Sequence, residues 1–419
     1  MPTAVQLTTL GNGLRVVTER MPEARSVAVG VWVGVGARDE PEPDAGVSHF
    51  LEHLLFKGTD DRSARAIADA VDRVGGEMNA FTAKEYTAYY TRLPATSLHV
   101  GLDLLGDVLC HPALRDGDVE AERQVIMEEL AMDADTPDDH VHTLLYEALF
   151  PGHPLGRETA GHRTTVAALS PDEVRAFHRQ WYRPANLVVS VAGACEHDDV
   201  VARVDEAFSF GATAGTAPDR RPPADGVRPL TVERRRTEQV HLALGWRGLP
   251  RDDGDREALD VANHVLGGGM SSRLFDEIRD KRGLAYSVFS APAGYRDAGA
   301  FTVYAGTAPS QVDEVLDVVD AELDRFVADG ITADEREVAV GYLTGSFVLG
   351  LEDPASRMSR HATQLTVFGG LRPVETQVAR YEAVTRDDVT KVAQRVLAAR
   401  RSLAVVGPVA RKSFIARVA

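Results

Sequence analysis

The chain has 419 residues, 44% of them hydrophobic and 26% charged, which is more than one small core needs and excludes a disordered or low-complexity class. Its 46 basic and 63 acidic residues leave 46 − 63 = −17, a balance that argues against a nucleic-acid partner. Two cysteines, Cys110 and Cys195, are too few for a disulfide framework, and no apolar run reaches membrane-spanning length. Residues 1–20 lack a basic region followed by an apolar core, so the expectation is a cytoplasmic protein with no membrane partner.

Taken in chain order, residues 10–14 (Leu-Gly-Asn-Gly-Leu) carry a hairpin signal between two short strands. The alternating apolar run over 26–35 predicts a strand. His49-Phe50-Leu51-Glu52-His53 follows, an H-x-x-E-H run. On a helix, residues four apart are neighbours, so His49 and His53 offer two nitrogens to one metal while Glu52 leans over the same spot. Phe50, Leu51, Leu54 and Leu55 give the opposite side an apolar surface for core packing. Zinc in hydrolases takes a third protein ligand, and residues 118–130 predict an amphipathic helix bearing Glu120, Glu122, Glu128 and Glu129. Glu122 and Glu129 share one face, since 129 − 122 = 7.

These residues resemble the pitrilysin/insulinase family of zinc peptidases, in which H-x-x-E-H is followed, after a stretch like the 129 − 53 = 76 residues here, by a liganding Glu. In that family a second Glu precedes the ligand by seven residues. The resemblance implies one zinc ion per chain held by His49, His53 and Glu129, with Glu129 chosen over its neighbour Glu128. It makes Glu52 the general base and Glu122 the partner that orients a ligand histidine. Residues 75–82 (Gly-Gly-Glu-Met-Asn-Ala-Phe-Thr) resemble the family's edge strand beside the metal, where an extended substrate adds as an extra strand. Asn79 and Ala80 are the implied substrate contacts.

Residues 211–227 are dense in Gly, Pro and Ala with no apolar period, as a linker is. They separate a metal-binding half, 1–210, from a half of similar length, 228–419. Strand-like runs recur at 239–246 and 300–305 as they do at 26–35 and 86–90, which points to an internal duplication. Sliding the first half by 264 − 54 = 210 residues lays the metal positions on Leu259, Ala262 and Asn263, so the second copy lacks the ligands. Residues 267–275 (Gly-Gly-Gly-Met-Ser-Ser-Arg-Leu-Phe) lack Gly-Lys-Ser/Thr and predict a tight turn with a Ser helix cap instead of a P-loop. This stretch is similar to the second domain of the same family, where an arginine and, seven residues on, a tyrosine assist the substrate; Arg279 and Tyr286 fit that spacing. A guanidinium and a phenol both donate hydrogen bonds to an oxygen that gains negative charge.

The expected fold is α+β, two homologous duplicated domains, each a mostly antiparallel sheet packed with helices. The chain most resembles the short two-domain family members related to mitochondrial processing peptidase. That resemblance implies a zinc-dependent endopeptidase acting on peptides or unfolded polypeptide segments inside the closed chamber of a homodimer, with Arg279 and Tyr286 acting in trans. The competing reading is a non-catalytic scaffold or subunit of a processing complex. Family members of that kind lose parts of the metal motif, whereas this chain keeps Glu52 and all three implied ligands.

Overall fold

The computed structural model describes residues 5–210 and 216–418. In the first half lie β1 (Val5–Thr9), β2 (Arg15–Arg20), β3 (Ser26–Val33), β4 (Glu77–Thr82), β5 (Thr87–Pro94) and β6 (Leu187–Gly193). They form one sheet in the order β1-β2-β6-β3-β5-β4. The central strands β3 and β6 are buried on both faces nearly throughout, so Ala28, Gly30 and Trp32 are covered as well as the valines that alternate with them. β4 lies at the sheet edge and alternates between exposed and half-buried residues. The Asn-Gly signal does make the β1–β2 hairpin, with Gly13 at φ 93° in the turn.

The second half repeats this plan with β7 (Leu230–Arg234), β8 (Val240–Gly248), β9 (Ala285–Gly294), β10 (Gly299–Thr307) and β11 (Arg401–Gly407), ordered β7-β11-β8-β10-β9. The pairing pattern is the same as in β2-β6-β3-β5-β4. One parallel pair, β2–β6 or β7–β11, is followed by antiparallel pairs out to the edge. The fold is therefore mixed helix and sheet, mostly antiparallel, and internally duplicated. Among the described residues no helix is long and apolar enough to cross a membrane.

The two compact units are not contiguous in sequence. Unit 1 comprises Met1–Leu130, Glu158–Arg220 and Val348–Leu371; unit 2 comprises Ala131–Arg157, Arg221–Phe347 and Arg372–Ala419. Two helices thus belong to the unit on the far side of the 211–227 stretch from their own place in the sequence. The helix Pro354–Phe368 lays Met358, Ala362 and Leu365 on Trp32, Ala88 and Val188 of the first sheet. Likewise Pro137–Leu149 lays Val141, Leu145 and Leu149 on Ala243, Ala300 and Ala404 of the second. Glycine lets each helix come close: a methyl at Gly30 would sit 2.2 Å from Met358 Sδ, and one at Gly245 would sit 2.9 Å from Leu145 Cδ1. Of the expected linker, 211–215 lie outside the described residues. Arg220 is bound to unit 1, donating to Asp39 at 2.7 and 2.8 Å and to the Glu85 carbonyl at 2.6 Å.

Glu19 on β2, only 5% exposed, accepts from His361 Nε2 at 2.6 Å and from Arg357, so a buried ion cluster ties the Pro354–Phe368 helix to the sheet. Burial by itself would raise the Glu19 carboxyl, but the hydrogen bond and charge of His361, followed by Arg357, bring it down to about 2. A carboxyl lowered on folding stabilises the protein above its unfolded value of 4.5, and the contribution fades as the pH falls toward 2. Glu19→Gln removes the negative charge and one of the two oxygens that accept from Arg357 and His361, and is expected to cost about 3 kcal/mol at neutral pH. Urea unfolding of both proteins should show the gap narrowing below pH 4.5; a gap of equal size at both ends of that range contradicts the ion-cluster account.

Candidate metal centre

The H-x-x-E-H run lies on the helix Val47–Leu55, as its spacing predicts. Gly46 precedes it with φ 101°, and a methyl there would come within 2.5 Å of the Ala160 carbonyl oxygen. No side chain next to the helix start caps it. The buried Glu40 does so from a distance, accepting from the Gly46 and Ser48 amides at 2.8 and 2.7 Å. Phe50, Leu51, Leu54 and Leu55 are in the core of unit 1, which fixes the rotation of the helix and turns His49, Glu52 and His53 the other way.

Residues 118–130 fall within the helix Asp116–Asp135. Val119, Glu122, Arg123, Ile126 and Leu130 are buried, while Val125 is 44% exposed. Arg123 anchors this helix by donating to the Leu169 carbonyl at 2.6 Å and lying 5.5 Å over the Phe50 ring. Glu129 Oε2 thereby comes 3.6 Å from His53 Nε2 and 3.8 Å from His49 Nε2, and the two imidazole nitrogens are 3.3 Å apart. Ligand atoms of a tetrahedral zinc with bonds near 2.1 Å are separated by about 3.4 Å, so these three atoms fit such an ion. Among the described residues this is the one group of three or more His, Cys, Asp or Glu side chains that could hold a metal. Glu128 is exposed and outside the group. Burial, then repulsion from His53, lowers His49 to about 4, which keeps its imidazole neutral as a metal donor must be.

Behind the cluster, His53 Nδ1 lies 2.9 Å from Glu122 Oε1, and Lys57 Nζ is paired with Glu122 Oε2. Glu122 thus bridges His53 and Lys57, a lysine that the sequence pattern does not single out. Glu52 accepts from Thr82 Oγ1 at 2.5 Å and from the Thr82 amide as well. Burial raises the Glu52 carboxyl, and the Thr82 bonds partly offset that rise. Thr82 ends β4, so the exposed strand edge adjoins the motif helix. On that edge Asn79 Oδ1 accepts from the Ala80 amide at 2.8 Å, which leaves the Asn79 nitrogen as the donor side of its amide.

Two family models match most of the chain: one described as Insulinase (Peptidase family M16) over residues 15–163, the other as Peptidase M16 inactive domain over residues 168–343. An uncharacterized zinc protease of Streptomyces coelicolor is 48% identical over 96% of this chain and 90% of its own length. One from Mycobacterium tuberculosis is 45% identical over 97% of this chain and 93% of its own. The chain belongs to the insulinase (M16) family of peptidases. In fold, this M16 peptidase is similar to a protease from Helicobacter pylori, with TM-score 0.87 at 23% identity over 97% of this chain and 100% of that one. It is also similar to a peptidase M16 inactive domain from Pseudomonas fluorescens, with TM-score 0.90 at 20% identity over 97% and 98% of the two chains.

In unit 2 of this M16 peptidase the helix Arg256–Leu266 carries Leu259 and Ala262, which are core residues, and Asn263, whose Oδ1 accepts from Ser290 Oγ at 2.7 Å. These are the positions onto which the metal motif slides, and they hold no metal-binding trio. After the glycine run, Ser272 Oγ donates to the Gly269 carbonyl at 2.6 Å instead of capping a helix, and Phe275–Asp280 forms a π-helical turn. That turn sets the Arg279 guanidinium 4.6 Å over Phe275 and 4.5 Å over Tyr286, and Tyr286 is 77% exposed. Arg279 and Tyr286, the pair that the resemblance picks out, are neighbours. Isothermal titration should find that Glu129→Gln weakens zinc binding by roughly a hundredfold or more, beyond what loss of an indirect partner costs, while Glu128→Gln binds like the wild type. Equal losses in the two variants would reassign the third ligand.

Proposed function

We propose that this M16 peptidase is a zinc-dependent endopeptidase that cleaves peptides or unfolded polypeptide segments, with Glu52 as its general base. The observation that supports the reading most is the convergence of His49, His53 and Glu129 within 4.8 Å of one another next to a half-buried Glu52. His49, His53 and Glu129 are assigned as the ligands of one Zn2+ per chain, and Glu122 as the acceptor that fixes the His53 tautomer. Zinc, when bound, supplies Lewis acidity to the scissile carbonyl and to the attacking water. Glu52 takes the proton of that water on a carboxylate oxygen and passes it to the leaving amine. Its raised pKa suits both transfers, because a very acidic carboxyl would hold the proton too weakly to deliver it.

An extended substrate is proposed to pair with the outer edge of β4, where main-chain bonds read no side chain and so accept many sequences. Ala80 offers its backbone there and Asn79 its amide nitrogen. Tyr286 and Arg279 are assigned as donors to the carbonyl oxygen as it becomes an oxyanion. The resemblance to short family members extends the proposal to a cytoplasmic homodimer enclosing a chamber that excludes folded proteins. Light scattering should then report the mass of two chains.

Cleavage of a quenched fluorescent peptide tests the central reading. Chelator should abolish turnover and zinc should restore it, and Glu52→Gln should lower kcat a hundred- to ten-thousandfold at unchanged zinc content. Thr82→Val, which removes one hydrogen bond to the base, should lower kcat roughly tenfold with little change in KM. No turnover across a varied peptide library by a zinc-loaded chain would put the non-catalytic scaffold ahead.

A further inference from the structure

The carboxylate behind His53 is itself held by a cation. Glu122 is 4% exposed, and its two oxygens have separate tasks: Oε1 faces His53 Nδ1 at 2.9 Å, and Oε2 is paired with Lys57 Nζ. Lys57 lies four residues after His53, one turn on, just past the end of the Val47–Leu55 helix. Its amide donates to the Leu54 carbonyl at 3.0 Å, so its backbone is fixed by the same turn that carries the histidines. A cation at a helix C-terminus is also favoured by the helix dipole. The flexible ammonium stem is therefore rooted in one helix and closes on a carboxylate rooted in the other, the Asp116–Asp135 helix.

We propose that Lys57 is a positioning residue for the metal centre, acting through Glu122 to fix the His53 ring in the orientation that turns Nε2 toward the ion. The inference rests on the metallopeptidase reading of the site. Two physical effects favour it. A buried carboxylate with one hydrogen-bond partner can swing about its last torsion, whereas one gripped at both oxygens cannot. Charge balance points the same way, because Glu52, Glu122 and Glu129 bring three negative charges to the cluster, and a divalent ion with one lysine neutralises them.

The test is zinc affinity, read by competition with a chromophoric chelator and therefore independent of turnover. Lys57→Met should weaken zinc binding roughly tenfold, within the range for loss of an indirect partner of a metal ligand. Lys57→Arg, which keeps the charge, should recover most of that loss. Glu122→Gln should weaken binding by itself, and adding Lys57→Met to it should change nothing further, since Lys57 acts only through Glu122. Lys57→Gln is the second variant should Lys57→Met not fold, and unfolding of the metal-free proteins reports which did. Undiminished affinity in Lys57→Met, or losses that add in the double variant, overturns the positioning role. A wild-type chain that binds no zinc overturns the metallopeptidase reading itself.

Discussion

The His53 imidazole is the joint on which the centre of unit 1 depends. It is carried by one helix, and each of its nitrogens looks toward a carboxylate on another: Nδ1 toward Glu122 at 2.9 Å, Nε2 toward Glu129 at 3.6 Å. A seven-residue interval on the Asp116–Asp135 helix is two turns, so the two carboxylates are stacked along one stripe and span the width of a single ring. That geometry holds only while the two helices keep their spacing and rotation. The apolar side of the motif helix, the remote cap from Glu40, and Arg123 lying over Phe50 all serve that end.

The part of the site that the sequence made legible is the part built from periodicity. His49, Glu52 and His53 share a face because 3.6 residues make a turn, and Glu122 and Glu129 do so for the same reason. The choice of Glu129 over Glu128 needed the family resemblance, and in the structure Glu128 is exposed while Glu129 joins the histidines. Lys57 and Thr82 went unread, because a lysine after a helix and a threonine on a strand are too common to signal anything until their partners are known. Lys57 did leave one trace, its four-residue interval from His53. The π-helical turn at Phe275–Asp280 gave no signal either, since one extra residue in a helical turn has no composition of its own.

The strands were legible where burial shaped them. β3 and β8 are buried along most of their length because both of their faces are covered, and what covers one face in each case is a helix from far along the chain. No local pattern names that partner: Met358 and Trp32 are hundreds of residues apart in sequence, and a linker of Gly, Pro and Ala looks like the natural seam. The sheet plan is shared by both units, and the helix that corresponds to the motif helix meets its packing task with Leu259 and Ala262 in the core and no metal-binding trio.

That exchange of helices changes what a half of this protein is. A chain cut at 220 would leave the first sheet without Met358, Ala362 and Leu365, exposing Trp32, Ala88 and Val188 to water. The second would keep its sheet but lose Val141, Leu145 and Leu149. Neither fragment is a smaller version of the whole, even though each holds a complete sheet. Cut at its apparent boundary, the duplicated chain gives two pieces that each lack the helix covering one face of their sheet. The second half is therefore needed for the first sheet's core through Pro354–Phe368, whatever its own chemistry.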